Sequence, residues 1–145
     1  MTETEVRAIY EEYLEAAAKA EAERKPGDGL LGIGKGPADS PCHARFAGAL
    51  EAKLNAFAAS APESAETAAV LDYIYGVAPR YGDLKSAYWM LLAVHGLTLP
   101  LIPCLSPADA ACLRARYAET YPRRKRLPVQ NQVLAALKSA AKSSI

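Results

Sequence analysis

Residues 83–105 read DLKSAYWMLLAVHGLTLPLIPCL, and this run decides how the rest of the chain must fold. From Ser86 to Ala108 no residue carries a formal charge. Over Asp83 to His95, the residues Leu84, Ala87, Tyr88, Trp89, Met90, Leu91, Leu92 and Val94 cover almost every side of a helical projection. A short helix without a polar face belongs inside a shell of other elements. Gly96 is expected to stop it in a left-handed conformation. Leu97 to Leu105, carrying Pro100 and Pro103, is then expected to run extended across the core. The run is long enough to raise a membrane span, but its prolines would interrupt a spanning helix, so a buried helix is the reading adopted.

Outward from this centre the chain supplies the shell. Val6, Ile9, Tyr10, Tyr13, Leu14 and Ala17 recur at three- and four-residue steps, predicting a helix over about Thr4–Arg24 with Glu11, Glu12, Glu15 and Glu21 on its other side. Ser40-Pro41 opens a second helix with a capping residue and a proline at the first position, its buried stripe being Phe46, Ala47, Leu50, Leu54 and Phe57. After a turn at Ser60–Pro62, a third helix uses Val70, Leu71, Ile74 and Val77 and ends before Pro79. Beyond the apolar run, Ser106-Pro107-Ala108-Asp109 opens a fifth helix reaching about Tyr121. A sixth starts near Pro128 and packs through Val129, Val133, Leu134 and Leu137. Thirty alanines and seventeen leucines, against six valines and five isoleucines, favour helix throughout. The expected fold is an all-α compact bundle of about six helices, one of them central and apolar, forming one domain over residues 1–145 with a Gly/Pro-rich loop at about 26–39.

Net charge is +1, yet the halves differ: Met1 to Asp72 has thirteen acids and seven bases, Tyr73 to Ile145 three acids and ten bases. Such halves suit self-complementary packing, including homo-oligomerisation, or a polar partner. Three cysteines without close spacing argue against a disulfide framework, and the acidic N-terminus lacks a secretory pattern, so the cytoplasm is the expected compartment.

Several residues could carry chemistry. Gly29 to Lys35 satisfies the spacing G-x-x-x-x-G-K, but Gly36 stands where a phosphate loop has Ser or Thr, and a helix rather than a strand precedes it. A loop closing over a smaller ligand is the reading kept for Gly34 and Lys35. Cys42, in the first turn of the second helix, lies where a helix dipole lowers a thiol pKa. His43 projects about 100° away from it and shares a face with Phe46, which suits packing at the core edge better than catalysis. Cys42, His43, His95 and Cys104, with Cys112 to spare, are zinc-type ligands, but none forms a close pair such as C-x₂-C, and no metal or cofactor is expected. His95, at a helix end, would satisfy the last carbonyls, as a cation or a hydrogen-bond donor. The patch Arg123, Arg124, Lys125 and Arg126 could meet phosphates, but the acidic N-terminal half weakens a nucleic-acid reading. Tyr73, Tyr75, Tyr81, Tyr88 and Trp89 gather beside Arg80, and such rings suit a groove, an interface or a core boundary alike.

The expected role is therefore a non-enzymatic module that binds a protein partner or a second copy of itself. The alternative is a small-ligand protein or enzyme, with a pocket lined by Cys42, His43, Arg45, Tyr81 and Trp89 under the glycine loop. In it Cys42 would be nucleophile or ligand, His43 or His95 acid–base, and Arg45 an anion clamp.

Overall fold

The computed structural model describes residues 2–22, 41–82 and 85–142. Six α-helices follow in chain order: α1 (Thr2–Ala22), α2 (Pro41–Ala59), α3 (Ser64–Val77), α4 (Lys85–Ala93), α5 (Pro107–Thr120) and α6 (Pro128–Lys142). Three 3-10 segments, Ala78–Tyr81, Val94–Cys104 and Arg123–Lys125, join them. Among the described residues there is no strand, and the fold is an all-α bundle.

The central run differs from the expected extended segment. Val94–Cys104 is a 3-10 helix that continues from α4. Its three-residue period explains why. His95, Thr98 and Leu101 fall on one column and are buried, while Leu97, Pro100 and Pro103 fall on the next and meet solvent wholly or in part. Both prolines thus lie on the outer column. Gly96 is not the expected left-handed stop either. A Cβ there would lie 3.2 Å from Val129 Cγ2, so this glycine lets the segment approach α6. The segment packs against α2, α3 and α6. Ala87–Cys104 is long and apolar enough by composition to cross a membrane, but it is α-helical only as far as Ala93. Leu91, Leu101 and Ile102 within it are almost fully buried, whereas Trp89 on α4 is 56% exposed.

Around this centre the amphipathic stripes close as their spacing predicts. Val6, Tyr10, Tyr13, Leu14 and Ala17 bury the inner face of α1; Phe46, Leu50, Leu54 and Phe57 that of α2. Tyr13 stacks on Phe46 with centroids 4.1 Å apart, and Tyr10 sets its ring edge-on to Phe46 and Tyr73. Such pairs contribute about 0.5–1.5 kcal/mol each beyond the area they bury. Ser106 caps α5 by accepting from the Asp109 amide at 3.2 Å. The Asp109 carboxylate does not reach back as in a capping box; it accepts from Ser64 Oγ at 2.5 Å, whose oxygen accepts in turn from the Ser106 amide. One cap thereby ties the start of α3 to the start of α5.

The core also holds a polar network. The Nδ1 of His95 shares a hydrogen bond of 2.8 Å with the Tyr117 hydroxyl. Tyr75 and Thr98 share one of 2.7 Å, Thr98 donates to the His95 carbonyl, and the Tyr121 hydroxyl donates to the Tyr75 carbonyl. His95 is fully buried, and burial pushes its imidazole down to about 4 against the opposing Ile74 carbonyl. Of the two expectations for His95 the cation is corrected and the hydrogen-bonding ring stands, buried in the core.

Candidate functional site

Three helices each turn one partly open edge toward a common cleft of about 430 Å³. From α3 come Ala69, Asp72, Tyr73 and Gly76, at steps of three and four that place them along one side, with Arg80 beyond on the 3-10 turn. From α5 come Leu113, Arg116, Tyr117 and Thr120, again at helical steps. The first turns of α1 add Glu3 and Arg7. The volume lies within the range of small-molecule sites.

The electrostatics are those of a partly neutralised cation cluster. Arg7 lies over the Tyr73 ring, 4.4 Å from its centroid, and pairs with Glu3 at 3.5 Å. Arg116 reaches across from α5 to Asp72 at 2.5 Å. Arg80 has no acidic partner among the described residues. Burial pushes the Tyr73 phenol up and Glu11 adds to it, while Arg7 and Arg80 pull the other way, so both guanidiniums act on that hydroxyl. Below lies Gly76, exposed, where a Cβ would touch nothing within 4 Å. Glycine inside a helix costs about 0.5–1 kcal/mol relative to alanine, and no close packing against the protein explains this one. The arrangement can bind an anion: several guanidinium forks, a phenol donor and a floor left open.

The residues singled out in the sequence are dispersed. Gly34 and Lys35 lie outside the described residues. Cys42 and Arg45 meet in a smaller groove of about 170 Å³ on the seam of α1 and α2, with Glu12 and Tyr13. His43 is buried at the start of α2, its Nδ1 2.7 Å from the Tyr13 hydroxyl. Neither Tyr81 nor Trp89 lines that groove; Tyr81 is half-buried, and Trp89 stands out from α4 with Tyr88 at its edge. His95 is sealed in the core, away from either opening. Cys42 is buried, Cys104 half-buried and Cys112 exposed, all with free thiols. Among the described residues no three His, Cys, Asp or Glu side chains gather as a metal site. Of the basic patch, Arg123 and Arg124 are exposed, while the Arg126 guanidinium donates to the Tyr121 carbonyl at 2.8 Å and so closes the end of α5.

Sequence reasoning noted Tyr73, Tyr75 and Arg80 together but missed Arg7, Arg116 and Gly76. The available signal was helical spacing of polar residues at the edge of an apolar stripe, Leu113-Arg116-Tyr117-Thr120 above all. No family model, curated protein or solved structure matches this chain.

Proposed function

We propose that the protein is a non-enzymatic binding module that takes up an anionic group in the cleft between α1, α3 and α5. The observation carrying this reading is Arg80, a cation without an acidic partner among the described residues, in a cleft that also holds Arg7 and Arg116. Guanidinium forks suit oxyanions because they donate two parallel hydrogen bonds at once. Binding is favoured over catalysis because neither histidine nor cysteine is among the described residues that line this cleft. The free thiols suit a reducing compartment, and the cytoplasm is the proposed location.

The test is a chemical-shift titration of the full chain with a series of simple organic anions. Saturable shifts at Tyr73, Gly76 and Arg116 that disappear in Arg80→Ala support the reading. Shifts that persist unchanged in Arg80→Ala refute it.

Trp89 favours a second reading. A 56% exposed tryptophan beside Tyr88 is the kind of anchor protein interfaces use, and a protein partner or second copy would cover it. Sizing at low and high salt, for the wild type and Trp89→Ala, examines the second-copy version; a monomer under every condition removes it.

A further inference from the structure

We infer that the anionic group held in the cleft is a phosphate monoester, and that Gly76 sets the size of the molecule that can carry it. The inference rests on the anion-binding reading above and goes one step further, to the chemical class of the ligand.

Charge and donor count carry the first part. The three guanidiniums arrive from three different elements, α1, the Ala78–Tyr81 turn and α5, and line one cleft. Each has five N–H donors, and an ion pair to one carboxylate leaves others unused. Glu3 and Asp72 offset two of the three positive charges, and Arg80 has no acidic partner among the described residues. A phosphate monoester offers three terminal oxygens and up to two negative charges, matching three separate forks with the Tyr73 hydroxyl as a fourth donor. A carboxylate offers two oxygens in one plane and one charge, and leaves part of that set without a partner.

The floor carries the second part. Arg7 and Arg116 meet α3 at Tyr73 and Asp72, and Arg80 follows about two turns later, with Gly76 midway. The glycine is neither in a left-handed conformation nor pressed by a neighbour, in contrast to Gly96. What it contributes is space at the centre of the charge cluster. Ala69 and Leu113 continue that space as an apolar wall for the uncharged remainder of the ligand. Both a free metabolite and a phosphorylated side chain present this chemistry.

The experiment is a titration of the full chain, followed by amide shifts, with phenyl phosphate, phenylacetate, inorganic phosphate and a short phosphoserine peptide. It is run on the wild type, Gly76→Ala, Gly76→Leu and Arg80→Ala, with urea melts to show that each variant folds. Phenyl phosphate or the phosphopeptide should bind at least about tenfold tighter than phenylacetate. Gly76→Leu should weaken that binding by about tenfold or more while melting no earlier than wild type. A preference between peptide and small phosphate identifies the source, and binding of neither overturns the inference. Equal affinity for phenylacetate, lost in Arg80→Ala, overturns the phosphate class and leaves the anion reading standing. Unchanged affinity in Gly76→Leu overturns the role of Gly76. If no anion binds in an Arg80-dependent way, the underlying reading itself has failed.

Discussion

Two polar regions share α3 and α5, and they are built on opposite terms. Around His95 the hydroxyls of Tyr75, Tyr117, Tyr121 and Thr98 use their hydrogen bonds on one another and on nearby carbonyls, with no exposure to solvent worth the name. In the cleft, Arg7, Arg80 and Arg116 keep donors to spare and an open floor below them. The difference teaches where partners must come from. Buried polar groups have to find theirs inside the chain, since an unpaired one costs about 1–3 kcal/mol, whereas an open cation can wait for a ligand. Two buried atoms break the pattern, Tyr10 Oη and His95 Nε2, which find no hydrogen-bond partner among the described residues.

The largest expected effect comes from the sealed phenols. Burial pushes Tyr10, Tyr13, Tyr75, Tyr117 and Tyr121 well above their ordinary value of 10. As pH rises past 10 the unfolded chain loses these protons first, so stability falls by up to about 1.4 kcal/mol per phenol per pH unit. Over five phenols that approaches the whole stability of a typical domain. Urea midpoints measured between pH 9 and 11 should collapse; a flat profile would mean the rings are not sealed.

His95 governs the acid side. Its folded value of about 4 lies below the ordinary 6.5, so the unfolded state takes up a proton first as pH falls. Stability is therefore lost between about pH 6.5 and 4, by about 3 kcal/mol in all. His95→Asn should remove that part of the pH dependence, measured as the difference between the two stability curves.

One substitution should have opposite signs at two tyrosines. Tyr117→Phe removes the hydrogen-bond partner of His95 Nδ1 and should destabilise by about 1–3 kcal/mol. Tyr10→Phe deletes a hydroxyl that has no partner among the described residues and should stabilise by about 1 kcal/mol. Chemical denaturation of both variants decides, and a loss at Tyr10 would reveal a hydrogen bond the geometry does not contain.

The smallest effects belong to the cleft. Gly76→Ala should gain about 0.5–1 kcal/mol from helix propensity, since its methyl group meets nothing within 4 Å. Arg80→Ala should leave the urea midpoint where it is, because the guanidinium is exposed and pairs with no acid among the described residues. A marked loss of stability in Arg80→Ala would show that the cleft serves the fold.

How far each region was legible follows from the range of its interactions. The stripes Val6-Tyr10-Tyr13 and Phe46-Leu50-Leu54 could be read directly, because a helix repeats its buried face every three or four residues whatever it packs against. The Ser106 cap was equally local. The course of Leu97 to Leu105 was misread because proline spacing does not separate an extended run from a three-residue helix until something decides which column is buried. Gly96 was misread likewise, its reason lying in Val129 of another helix. The cleft stayed hidden because Arg7, Arg80 and Arg116 lie far apart in the chain and meet only through α3.

Composition and periodicity thus determined that the described residues form an all-α bundle and which faces its α-helices bury, since those preferences act within a turn or two of backbone. Only the tertiary structure decided that His95 is a neutral core residue rather than a helix-end cation, and that three distant arginines share one opening. Burial and convergence depend on which surfaces are brought together, and no local propensity encodes that.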